Sequence, residues 1–135
     1  VENFMITFDD ITASEAKLLL IWDKTVVAVP LKADVDTKVM AQLDAAMKGD
    51  KKPYFQAASY YYETNRDLKQ ALTWVDEAIK ENPTAFWIAT LKARIQAKAG
   101  DKKGAKASAE KAIELAKTAK NDDYVAINQK IIASL

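Results

Sequence analysis

The sequence has no cysteine and no histidine, and only three glycines and three prolines. Without cysteine there can be no disulfide, no thiolate metal ligand and no Cys nucleophile. Without histidine the commonest general base at neutral pH and the commonest zinc ligand are missing. Three glycines leave no Gly-rich loop to cradle a phosphate. No apolar run approaches the roughly 20 residues of a membrane span; the longest, Leu18–Trp22, has the length of a strand. Charge of one sign is also scarce. The formal net charge is +1, which gives no general reason to expect nucleic acid or an acidic membrane as partner. The expectation is a protein that is not an enzyme, holds no cofactor and no metal, and has no membrane span.

What is present suits a folded domain. Half of the 135 residues are hydrophobic and 29% are charged, and the length allows one domain, or one plus a fragment of another. The charge is unevenly spread. Residues 1–35 carry three Lys and six Asp/Glu, net −3, whereas residues 36–135 carry seventeen Lys/Arg and thirteen Asp/Glu, net +4. The chain begins Val-Glu-Asn-Phe, directly in a strand-like pattern and without Met, as a piece of a longer protein would.

The first quarter reads as β-structure. Glu2–Phe8 places Phe4, Ile6 and Phe8 on one side, and period two predicts a half-buried strand. Asp9–Ser14 is polar and turn-forming. Lys17–Trp22 is apolar on both faces from Leu18 onward, which predicts a strand between two layers. After the turn Asp23-Lys24, Thr25–Leu31 is a third strand, and Pro30 marks it as an edge or a strand end. Three antiparallel strands are marginal alone, so residues 1–35 read as the end of a β-sandwich domain or as a sheet folded on the first helix. An unpaired edge recruits another chain, which predicts a homodimer through the β edge of residues 1–35.

Near residue 35 the period changes from two to that of a helix. Asp34 or Asp36 caps a helix to about Lys48, with Val39, Met40, Leu43, Ala46 and Met47 as its apolar stripe. Pro53–Thr64 is a second helix, Asn65-Arg66 a turn, and Asp67 the cap of a third helix reaching Glu81. Asn82-Pro83 breaks it, Thr84 caps Thr84–Ala99, Asp101 caps Lys102–Thr118, and Asn121 or Asp122 caps Asp123–Ser134. The fold class is therefore mainly α, with about six helices in antiparallel hairpins over residues 36–135, preceded by a short antiparallel three-stranded β segment.

Offset by 34, Asn65–Ala71 aligns with Ala99–Ala105, and Glu77-Ala78-Ile79 with Lys111-Ala112-Ile113. A helix–turn–helix unit at this period resembles the tetratricopeptide repeat. In the first unit Phe55, Ala58, Ser59 and Tyr62, then Ala71, Val75, Ala78 and Pro83, occupy the large and small positions of that pattern. The second unit keeps Gly100, Ala105 and Ala112, but Ala89 and Lys92 stand where larger apolar residues are usual, so Trp87, Leu91 and Ile95 would carry its core. The hairpin Ser14–Trp22 with Val27–Pro30, then Pro53–Ala58, Tyr60–Tyr62, Asp67–Pro83 and Asn121–Tyr124, together resemble the C-terminal half of the domain of unknown function 2911 family, mostly from Bacteroidetes. That resemblance implies an export signal outside this chain, an extracytoplasmic (periplasmic or cell-surface) protein and a β-rich N-terminal domain. It implies no activity.

Tetratricopeptide stacks hold peptides in the groove of their first helices. On that register Gln56, Tyr60, Glu63 and Thr64 would line the groove from the first unit. Trp87, Thr90, Arg94 and Lys98 would come from the second, and Tyr124, Asn128 and Ile131 from the last helix. Aromatic anchors beside Arg and amides suit a protein or peptide partner; equally, Tyr60, Trp87 and Tyr124 could fill the inside of a short, tightly wound array. The positions where some tetratricopeptide modules clamp a terminal carboxylate with Lys and Asn hold Gln56, Tyr60 and Leu91, so that mode is excluded. Asp9-Asp10 and Asp122-Asp123 read as caps rather than calcium or acid/base pairs. Lys98, Lys102, Lys103 and Lys106 read as a solvated surface. The function expected is a non-catalytic protein–protein interaction module. The alternatives are a structural tail that stabilises an N-terminal β domain, and a small-ligand protein whose active residues lie outside this chain.

Overall fold

A computed structural model describes residues 3–12 and 14–135. Glu2, expected to open the first strand, and Ala13, in the turn after it, lie outside the described residues. Three antiparallel strands are followed by six helices. Contacts divide the chain into two units, the first ending at Gly49 and the second spanning Asp50–Leu135. The division falls later than the change of period near residue 35, so the first helix goes with the sheet.

In the first unit β1 (Phe4–Asp9), β2 (Glu15–Trp22) and β3 (Thr25–Lys32) form a meander with β2 central. Asp23, at φ 50°, makes the tight turn between β2 and β3. Pro30 lies on β3, which pairs only with β2, as its missing N–H requires. The register puts Phe4, Ile6 and Phe8 beside Trp22, Leu20 and Leu18, and these beside Thr25, Val27 and Val29. With Ala16 and Leu31 this face carries no charged residue. The other face ends in Asp9, Glu15, Lys17 and Lys32, where Lys32 meets Glu15 at 2.9 Å and Lys17 pairs with Asp10. The two layers expected around β2 are not seen among the described residues: Phe4, Ile6 and Phe8 on one face remain 57–60% exposed, and Met5 and Val26 on the other 55% and 59%. Helix α1 (Val35–Ala46) starts at Asp34, whose carboxylate accepts from Thr37 N at 3.1 Å. It buries Leu43, with Val39, Met40 and Met47 half-buried and Ala46 exposed.

The second unit holds α2 (Tyr54–Glu63), α3 (Leu68–Glu81), α4 (Phe86–Lys98), α5 (Lys102–Thr118) and α6 (Asp122–Ala133). Its turns are short because three helices end in one motif. Asn65 (φ 54°), Gly100 (φ 84°) and Lys120 (φ 56°) turn left-handed. The next N–H then reaches back to the helix, Arg66 to Tyr61 O, Asp101 to Gln96 O and Asn121 to Ala116 O, each at 2.9 Å. Asp67, Asp101 and Asn121 cap the following helices through their side chains. Thr84 does not cap α4: Ala85 holds that position without a side-chain bond, and the Thr84 hydroxyl turns to Asn82 Oδ1 at 3.4 Å.

Packing follows residue size. Helix α4 touches α2, α3, α5 and α6 and is buried nearly all round, through Ile88, Ala89, Thr90, Leu91, Ala93 and Ile95. Helix α5 buries Ala105, Ala109, Ala112 and Ala116, a seam of small side chains that lets α4 and α6 approach. Ala58, Ala71, Val75, Ala78, Ile88, Leu91 and Ile95 belong to one core cluster, with Tyr61 and Tyr62 packed on it. Tyr61 meets Trp74 edge-on at 4.7 Å between ring centroids. Of Trp87, Leu91 and Ile95, expected to carry the core of the second repeat, Leu91 and Ile95 are buried, whereas Trp87 is 39% exposed and Ile88 is buried instead. The helical period explains the exchange: Ile88, Leu91 and Ile95 share one face at i, i+3 and i+7, and Trp87 falls beside it.

Candidate functional site

Helix α4 touches both α2 and α6. The expected groove residues fall on these helices, most of them exposed or half-buried. Gln56 is exposed on α2, and Tyr60 is half-buried with the Arg66 guanidinium 6.0 Å from its ring centroid. The Thr64 hydroxyl donates to Tyr60 O at 2.6 Å, while Glu63 is exposed. On α4, Lys98 donates to Tyr62 O at 2.9 Å and sits 4.6 Å from the Tyr62 ring centroid, tying the end of α4 to that of α2.

An aromatic cluster joins α4 to α6. Phe86 packs edge-on against Trp87 at 5.0 Å and against Tyr124 at 4.8 Å. Tyr124 is half-buried, and Trp87 keeps 39% of its surface exposed. Phe86 was not among the expected groove residues; as the first residue of α4 it could have been read from the apolar pair Phe86-Trp87.

Thr90 and Asn128 are corrections to the expected groove. They are 2% and 0% exposed and meet each other inside the α4–α6 contact. Asn128 Nδ2 donates to Thr90 Oγ1 and to Tyr124 O, both at 2.8 Å, and the Thr90 hydroxyl donates to Phe86 O at 2.8 Å. Close approach of the two helices closes over these short side chains, so neither is open to a partner.

Arg94 is exposed and lines a crevice of about 320 Å³ with Ile127, Lys130 and Ile131 of α6 and Ser134 just after it. Ile131 was expected here. Ile127 and Lys130 were not, although Ile127, Ile131 and Ser134 have the i, i+4, i+7 spacing of one helix face. A larger cleft of about 420 Å³ opens between α3 and α5, with Ala85 and Ala89 of the α4 region among its walls. It lies beside Ala89, where a larger apolar side chain was expected, and Lys92 there reaches Asp76 on α3 at 2.7 Å.

The paired acids take structural positions. Asp122 and Asp123 occupy the first turn of α6, where a helix favours negative charge. Asp9 Oδ1 accepts from Asp10 N at 2.9 Å. Among the described residues no group of three or more Asp, Glu, His or Cys side chains could hold a metal ion, and no helix is long and apolar enough to cross a membrane. Lys98, Lys102, Lys103 and Lys106 are all exposed.

Comparison of the sequence with family models finds no match, and neither does comparison with curated proteins or with solved structures.

Proposed function

We propose that the helical unit is a tetratricopeptide-like, non-catalytic interaction module that takes a peptide or partner chain across α2, α4 and α6. The supporting observation is Trp87. It is a large aromatic left 39% exposed on a helix that is otherwise buried nearly all round. Phe86 and Tyr124 hold it in place, and Arg94 is exposed on the same helix. A rigid aromatic with a neighbouring Arg is the usual composition of a binding hot spot. The repeat offset of 34 between the caps Asp67 and Asp101, and between the buried Ala71 and Ala105, supports the repeat reading. The resemblance to the domain of unknown function 2911 family supports an exported, extracytoplasmic protein. The test is partner capture from extracytoplasmic extract with Trp87→Ala and Arg94→Ala. Both variants should keep the wild-type circular dichroism and lose capture; full capture by both would sink the groove.

A second reading is favoured by the uncharged sheet face. Such a face is the inner layer of a β-sandwich, and the helical unit would then be a structural tail stabilising the β domain to which residues 1–35 belong. Melting the full-length protein with and without residues 36–135 distinguishes the two. A large loss of stability with no loss of partners favours the tail. An edge-to-edge homodimer through β1 or β3, each paired on one side only, belongs to this reading. Sedimentation of the chain with Val27→Lys reports on it. An edge dimer survives that substitution, whereas association through the apolar face does not.

A further inference from the structure

Acids are few on α2, α4 and α6. The ion pairs Lys92–Asp76, Lys80–Glu77 and Lys111–Glu114 all take their acid from α3 or α5. On α2, α4 and α6 the acids are Glu63, at the end of α2, and Asp122 and Asp123, at the start of α6. Arg94 and Lys130, on different helices, line one crevice that has no acid among its walls. Both are exposed, and neither makes an ion pair among the described residues. Beneath them are the half-buried side chains of Ile127 and Ile131.

Two unneutralised cations over an apolar floor fit a particular chemistry. A carboxylate offers each cation a charge-assisted hydrogen bond, and Arg can take it with two N–H groups. The floor fits an apolar side chain, so a small inorganic anion would use half of the site. Phe86, Trp87 and Tyr124 continue the apolar surface along α4 and α6. We propose that the α4–α6 crevice binds an acidic, apolar peptide segment, with one Asp or Glu carboxylate held between Arg94 and Lys130 and a neighbouring apolar side chain seated on Ile127 and Ile131. The inference rests on the groove reading and names the class of its occupant. It differs from the clamp of a chain terminus, whose positions hold Gln56, Tyr60 and Leu91.

The test is fluorescence anisotropy with labelled ten-residue peptides in which Leu alternates with Glu, with Gln or with Lys, and with an oligothymidylate of ten nucleotides. The Glu peptide should bind tightest, and its affinity should fall as salt rises and shortens the screening length from about 10 Å toward 3 Å. Arg94→Gln and Lys130→Gln should each weaken it about tenfold, the value of one charge-assisted hydrogen bond. Lys106→Gln, which makes the same charge change on the exposed face of α5, should leave binding unchanged. Equal binding of the Glu and Gln peptides, tighter binding of the oligothymidylate, or an equal loss in Lys106→Gln overturns the acidic assignment. If the Gln peptide binds as well as the Glu peptide and Trp87→Ala abolishes both, the groove stands and only the carboxylate site falls. If no peptide binds, both fall.

Discussion

Asn128 donates to the hydroxyl of Thr90 at 2.8 Å across 38 positions of sequence, and both side chains are buried. The Thr90 hydroxyl in turn donates to Phe86 O, so one oxygen serves as acceptor for α6 and donor within α4. The second Asn128 proton goes to Tyr124 O, one turn earlier in α6. Asn128 Oδ1 is buried without a hydrogen-bond partner among the described residues. The pair therefore fixes the register of α6 against α4 more than it adds stability, because an unmet acceptor offsets part of its gain.

A double-mutant cycle measures that balance. Thr90→Val keeps the shape and removes the acceptor, which should cost about 1–2 kcal/mol in urea unfolding. Asn128→Leu removes the unmet acceptor as well and should cost less than Asn128→Ala, which opens a cavity and loses about 2–4 kcal/mol. A coupling between positions 90 and 128 of about 1 kcal/mol is expected. Strict additivity would show that the hydrogen bond contributes nothing.

Lys120 is the second position. It ends α5 at φ 56°, in a conformation that costs a residue with a Cβ about 1–2 kcal/mol. Gly100 ends α4 in the same way at φ 84° without that cost. Lys120→Gly should raise stability by about 1 kcal/mol, read as a higher melting temperature. Gly100→Ala should lower it by a similar amount, although the space around Gly100 is open. If both substitutions are neutral, the left-handed ends are not what sets these turns.

The response to pH follows from composition and three ion pairs. With no histidine and no cysteine, no side chain at its ordinary pKa titrates between about pH 6 and 8. The urea midpoint should therefore be flat from pH 6 to pH 8. Hydrogen bonds to Asp10, Glu15 and Glu77 raise Lys17, Lys32 and Lys80 above the ordinary lysine value of 10.5. A raised folded pKa gives stability that is complete below the unfolded value and lost as pH climbs through the folded one. Lys80→Met should therefore differ from wild type by a small amount at pH 8 and by less above pH 11. All three pairs are exposed, so the difference is slight. A difference that grew with pH would contradict the sign.

The sequence made much of this structure readable for local reasons. Capping and breaking are short-range, so Asp67 and Asp101 could be placed as helix starts and Asn82-Pro83 as a stop, while Asp34 or Asp36 and Asn121 or Asp122 were left open until the structure chose Asp34 and Asn121. Thr84 misled because its hydroxyl had a nearer partner in Asn82. The faces of α4 were legible in direction but not in depth. Period 3.6 puts Trp87, Thr90 and Arg94 on neighbouring lines of α4, but it does not say how closely α6 approaches.

By itself the sequence determined the three strands, the six helices, the change of period near residue 35, and the lack of any cysteine or histidine chemistry. These depend on residue type and spacing within a few positions. Only the tertiary structure decided that Thr90 and Asn128 are interior, that Trp87 stays out, and that Arg94 and Lys130 share one crevice. Each of those depends on the distance between α4 and α6, which is set by the alanine seam of α5 and by packing across the whole unit.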